Sequence, residues 1–162
     1  NMTDSIRALH RLSAHGSSEY QKAMDEFYQQ WKNDSLVINK WLSVIALSQQ
    51  EGSFEKVKKT TQDSVYDQTN PNKVFALLYQ FAQYNWSKFH QTSGETYQWL
   101  AEQIIDIDSR NPQIASRMGS CFNNWKKFSE DYQKPMKQAL EKIHSSSPSD
   151  NLFEIVDRAL KS

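Results

Sequence analysis

Residues 70–85 read Asn70-Pro71-Asn72-Lys73-Val74-Phe75-Ala76-Leu77-Leu78-Tyr79-Gln80-Phe81-Ala82-Gln83-Tyr84-Asn85. Asn70 is a residue type that caps a helix. Proline at the first helical position loses no hydrogen bond, so Asn70-Pro71 marks a helix start. Behind it, Val74, Leu77, Leu78, Phe81 and Asn85 fall on one face of a helix, and Phe75, Tyr79 and Ala82 make a second apolar face. The same start recurs at Asn111-Pro112, followed by Ile114, Met118, Cys121, Phe122 and Trp125 at helical spacing. The two starts lie 41 residues apart (70 to 111), within the period of HEAT-like helical repeats, and Phe81 and Phe122 line up behind them.

Working outward, every other apolar stretch also repeats at three and four. Toward the N-terminus these are Thr3 to about Ala14, closed by Gly16; a segment from Ser18, where Ser18 and Gln21 have capping-box spacing; a segment carrying Val37, Trp41, Val44, Ile45 and Ser48; and Ser53 to about Thr61. Leu36, Ile38 and Leu42 widen the third seam, which predicts burial on more than one side. Residues 62–69 read as a connection, and so do 86–95, where periodicity fails around Ser93-Gly94. Further helices are predicted from Thr96 to Asp108, from Ser129 with Pro135 as a kink or late start, and after a capping box at Asn151 and Glu154. Gly119 inside a helix costs about 1 kcal/mol relative to Ala, so it predicts a close helix crossing.

Composition agrees with helices only. The chain has 162 residues but four Gly and four Pro, too few turn formers for a sheet-rich fold. The expected fold is all-α, with residues 1–162 as a single helical domain. Eight or nine helices in antiparallel pairs would stack as a right-handed superhelix, a HEAT- or armadillo-like α-solenoid, in preference to a closed bundle. The lone Cys121 excludes a disulfide framework and fits a reducing compartment. Lys and Arg number 19 against 19 Asp and Glu, with a pI near 7.1 and mean hydropathy −0.79. Balanced charge argues against nucleic acid or a membrane as partner, and no apolar run approaches the roughly 18 residues of a membrane span.

Chemistry is sparse. No two of His10, His15, His90 and His144 have metal-ligand spacing, and no HExxH or phosphate-binding glycine loop occurs. Cys121 lies on an apolar stripe and reads as core. Asp106 and Asp108 lie on different helix faces and read as a solvated helix end, and Lys126, Lys127, Lys134 and Lys137 as a solvated patch. No catalytic set and no metal site is therefore expected in this segment. Arg117 stands out because its stem must run along the stripe between Ile114 and Cys121, leaving its charged head at an edge or in a cavity.

Several stretches carry a resemblance. Asn1-Met2-Thr3-Asp4, Trp31-Lys32, Lys40-Trp41, Asn70-Pro71-Asn72, Phe89-His90 with Gly94 and Tyr97, Arg110-Asn111-Pro112-Gln113-Ile114-Ala115-Ser116-Arg117, and Phe153-Glu154-Ile155-Val156 with Arg158-Ala159-Leu160 together look like the C-terminal domain of bacterial-type aminopeptidase N. That family consists of zinc metallopeptidases of the gluzincin type. The likeness covers essentially the whole chain, and Asn1 ahead of Met2 suggests a piece of a longer one. It implies a cytoplasmic hydrolase that removes N-terminal amino acids from peptides. The zinc and the catalytic residues would lie in an upstream domain of the same polypeptide, so no cofactor is expected here. The family's last domain covers the active site, encloses the cavity and limits which peptides enter.

By the same resemblance, Arg117 matches an arginine that points toward the cavity. A second cavity arginine falls at Phe75, with Lys73 two residues earlier; a phenyl ring cannot hold an anion, which puts that contact and the family's substrate preference in question here. Asn72 and Arg110, within the matched motifs, complete the expected cavity set. Glu95 and Thr96 depart from the small residues the family has before Tyr97. The implied partners are the catalytic domain and peptide substrates. The rival reading is a free-standing helical-repeat module that binds a peptide or protein; a nucleic-acid-binding domain ranks last.

Overall fold

Three helices begin alike, and the backbone shows why. Asp34, Asn70 and Asn111 each stand in extended backbone just ahead of a helix, and each side-chain oxygen accepts from the amides two and three residues on. Those amides have no partner inside the helix, and such a cap contributes about 1 kcal/mol. Pro71 and Pro112 fill the next position, as their sequence context predicts.

The structure is a computed structural model that describes residues 1–15 and 18–162. Gly16, read as closing the first helix, lies outside the described residues. The chain falls into two compact units, Asn1–Lys88 and Phe89–Ser162. Helices and turns make up the described residues, with no strand among them.

The first unit comprises α1 (Met2–His15), α2 (Ser18–Trp31), α3 (Ser35–Leu47), α4 (Ser53–Thr61) and α5 (residues 71–84). Helix α3 touches each of the other four. That central place explains its all-round apolar sequence, with Val37, Ile38, Trp41, Leu42, Val44, Ile45 and Ala46 buried. The Trp41 indole donates to the Met24 carbonyl at 3.0 Å, which ties α3 to α2. Leu36 departs from the expected burial: it is 73% exposed. Gln21 does not reach back as a capping box requires, and its amide donates to Asp25.

Helix α5 winds as a π-helix over Phe75–Tyr79. Val74, Ala76, Leu77, Leu78, Phe81 and Ala82 are buried, whereas Phe75 and Tyr79 are half-buried with their rings edge-on, 5.7 Å between centroids. Asn85 ends the helix fully buried. Its amide donates to the carbonyls of Ala46 (2.9 Å) and Ser48 (3.0 Å), and its oxygen accepts from Gln49 at 2.8 Å. One side chain thus satisfies the open carbonyl end of α3.

The single turn α6 (Trp86–Phe89) lies where no helix was expected and brings the count to ten among the described residues. The second unit holds α7 (Glu95–Asp108), α8 (Pro112–Gly119), α9 (Glu130–His144) and α10 (Asp150–Lys161). Helix α7 packs on α8 and α9, and α10 packs on the same two. At Gly119 an added Cβ would stand 3.0 Å from Leu152, so α8 crosses α10 as closely as the glycine suggested.

Three local expectations change. Helix α8 stops at Gly119 and gives way to 3-10 turns at Ser120–Phe122 and Trp125–Lys127, which still bury Phe122 and Trp125; the Trp125 indole donates to the Ala159 carbonyl at 3.0 Å. Helix α9 starts well before Pro135 and runs through it, the ring lying beneath Gly94. Ser149, not Asn151, caps α10; its hydroxyl and amide both donate to Asp108 at 2.5 and 2.7 Å. Asp108 is therefore a tie between α7 and α10 and not a solvated helix end.

Candidate functional site

In the first unit a groove of about 690 Å³ opens where α3 and α5 meet the start of α1. Its floor is closed by Ser43, whose hydroxyl lies 3.2 Å from the carbonyls of both Asn39 and Ala76. Apolar walls come from Met2, Leu36, Val37, Phe75 and Ala76, and amides from Asn39, Asn72 and Gln80. The groove has two charged residues, Asp34 and Lys40. Asp34 Oδ1 accepts from the Leu36 and Val37 amides at 3.1 and 3.2 Å, which caps α3. Asn39 Oδ1 is buried in the wall with no hydrogen-bond donor.

Of the five residues expected to line a cavity, Asn72 and Phe75 meet in this groove. Lys73 is turned elsewhere, its ammonium donating to the Val65 carbonyl at 2.8 Å. Arg110 and Arg117 belong to the second unit. Arg110 is exposed just ahead of the Asn111 cap, and Arg117 is exposed in the last turn of α8, while Ile114, Ala115 and Met118 of that helix are buried. Asp34, Leu36 and Lys40 were not anticipated as site residues. Their signal was a helix start at residue 34 with a leucine at its first turn, read only as part of an apolar seam.

The second unit contains a titratable pair. His90 Nδ1 and the Tyr97 hydroxyl are 2.7 Å apart, the imidazole lies against Phe128 at 4.5 Å and Phe89 at 5.0 Å, and Thr96 donates to the Phe89 carbonyl. Burial holds the imidazole down to about 4 and, with the nearby Tyr132, raises the Tyr97 hydroxyl well above its usual range. At neutral pH both are uncharged, which suits a packed brace between α6, α7 and the turn before α9. Cys121, expected in the core, is half-buried in the turn after α8, and burial of its thiol pushes it up to about 12, which does not suit a nucleophile. His144 and Lys161 both bind Asp157, at 3.1 and 2.7 Å. No three His, Cys, Asp or Glu side chains converge as a metal ion needs, among the described residues.

A family model described as a domain of unknown function with ARM repeats, DUF3458_C, matches residues 1–161. The chain belongs to the DUF3458_C family. ARM repeats are helical repeats of the solenoid type, in agreement with the fold read from the sequence. The DUF3458_C chain is 33% identical over 161 residues to aminopeptidase N of Caulobacter vibrioides and 32% identical over 161 residues to aminopeptidase N of Escherichia coli K12. Each match takes in 99% of this chain, but 19% and 18% of the relatives, in their C-terminal part. A crystal structure of Legionella pneumophila aminopeptidase A in complex with aspartic acid superposes with a TM-score of 0.94 at 35% identity, covering 99% of this chain and 19% of that one. The DUF3458_C chain thus spans about a fifth of the length of the relatives it matches, and it resembles their C-terminal helical domain.

Proposed function

We propose that this chain is the C-terminal helical part of a zinc aminopeptidase, one that releases N-terminal amino acids from peptides in the cytoplasm. Its role there is to enclose the catalytic cavity and restrict entry to short, unfolded peptides. The observation that carries this reading is the collinear match of nearly the whole chain to one-fifth of aminopeptidase N. The aspartic acid held by the Legionella relative is the kind of product such a reaction leaves. Among the described residues no three His, Cys, Asp or Glu side chains gather as a metal site needs, and this reading assigns zinc and the reacting groups to the remainder of the polypeptide. What this segment supplies is positioning and exclusion of bulk water, which orients a substrate without a nucleophile.

In this reading residues 1–162 work as one domain docked on the catalytic domain of the same polypeptide, and Asn72, Phe75, Arg110 and Arg117 edge the cavity. The Arg117 guanidinium is exposed on a helix whose other face is fixed in the core, so its charge draws anionic peptides toward the cavity. The test compares alanyl p-nitroanilide hydrolysis by the full polypeptide and by this chain alone, both with zinc. Activity confined to the full polypeptide is expected; activity in neither overturns the reading. Arg117→Ala in the full polypeptide is expected to raise KM for dipeptides roughly threefold to tenfold with stability nearly unchanged. Unaltered kinetics across several dipeptides would remove Arg117 from the cavity.

A further inference from the structure

We propose that the groove between α3 and α5 holds the carboxyl-terminal end of a short peptide, with Lys40 pairing the carboxylate and the wall of Leu36 and Phe75 receiving an apolar side chain. This rests on the reading of the chain as the cavity wall of a peptidase, and it names what part of the substrate the wall recognises.

Charge selects the end of the ligand. Asp34 and Lys40 are the charged residues of the groove, and the Asp34 carboxylate is turned to two backbone amides of its own helix. Lys40 is exposed, meets no carboxylate among the described residues, and is the one cation among the residues that line the groove. An anion entering the groove therefore finds one cation that is not already paired. The first turn of α5, at Asn72, adds the positive end of a helix to the same side.

Shape and polarity select the rest. Leu36 is 73% exposed on a helix that buries seven other apolar residues from Val37 to Ala46, and it lines the same space as the half-buried ring of Phe75. Exposing a leucine beside an aromatic ring serves folding poorly, whereas covering both with a ligand side chain removes apolar surface from water. Asn39, Asn72 and Gln80 supply the amides that a peptide backbone needs, and Asn39 Oδ1 lacks a donor that a peptide N–H could provide. A volume of about 690 Å³ is in the range of sites that take ligands of a few residues.

The experiment uses the full polypeptide with Ala-Ala-Leu and its carboxamide. Two readouts are taken: the KM of each, and calorimetric titration of the N-acetylated forms, which cannot be hydrolysed. The free acid is expected to be preferred about threefold to fivefold in both. Lys40→Met should abolish that preference with kcat changed less than about twofold, and Lys40→Arg should keep it. Leu36→Ser should narrow the advantage of Ala-Ala-Leu over Ala-Ala-Ser without touching the acid-to-amide ratio. Equal handling of acid and amide by the unaltered protein, or a ratio that Lys40→Met leaves in place, overturns the proposal. So does a loss of thermal stability on both substitutions with no change in ratio, which would mean that another part of the polypeptide covers the groove. If no peptide is hydrolysed at all, the peptidase reading fails by itself and the titrations alone decide the groove.

Discussion

Asn85 shows how much one side chain can hold. It is fully buried and satisfies two carbonyls at the end of α3 while accepting from Gln49. Asn85→Ala would strand all three groups, and is expected to cost about 2 to 3 kcal/mol in urea unfolding. Periodicity put Asn85 on an apolar face, but spacing alone does not say which carbonyls an amide will meet, because those belong to a helix 37 to 39 residues away. Leu36 failed in the opposite sense: it belongs to an apolar seam in the sequence and lies outside it in space. Gly94 combines a φ of 76° with a place directly over Pro135, where a Cβ would stand 2.7 Å from the proline Cβ. Gly94→Ala is thus expected to destabilise by about 2 kcal/mol, and a midpoint of unfolding that does not move would show that the loop can shift aside.

Among the elements, the boundaries set by local chemistry were legible and those set by distant contacts were not. Asn-Pro pairs announce α5 and α8 because cap and proline act within four residues of chain. The end of α8 depends on burying Phe122 and Trp125 against distant helices, and the cap of α10 depends on Asp108 in α7, so neither is written in a local pattern. The brace around His90 makes the second unit sensitive to acid. Its imidazole is held down to about 4 in the folded chain against about 6.5 unfolded, so the unfolded chain binds the proton more readily. The stabilisation from keeping it neutral is complete above about 6.5 and is lost as pH falls toward 4. Thermal melts of the polypeptide are expected to drop over that window, with the slope reduced in His90→Gln. An equal slope in the variant would assign the acid sensitivity to other groups, His10 among them, whose imidazole is also held low by burial.

For the chain as a whole, repetition carried the reading. Asp34 joins Asn70 and Asn111 as a third capped start, and each is expected to contribute about 1 kcal/mol. Since the three lie in separate helices, Asn70→Ala and Asn111→Ala should add within about 0.5 kcal/mol when combined, as a chemical denaturation series can check. A repeated helix is visible in sequence because its apolar stripe recurs; the groove is not, because it is made of residues that leave the stripe. Asn72 and Phe75 were found through likeness to a family, and Lys40 and Leu36 only in the folded chain.

The π-helical stretch of α5 sets a phase. A π turn holds one more residue than an α turn, so Phe75–Tyr79 acts as a single-residue spacer in the middle of the helix. Were the same residues to wind as a regular α-helix with none removed, everything after them would join about 100° out of step and about 1.5 Å further along. Phe81 would leave the core and Asn85 would miss the end of α3. The side of α5 that lines the groove and the side that closes its neighbour are thus set independently on one helix, and substitutions in its first turn can retune the groove without turning its far end.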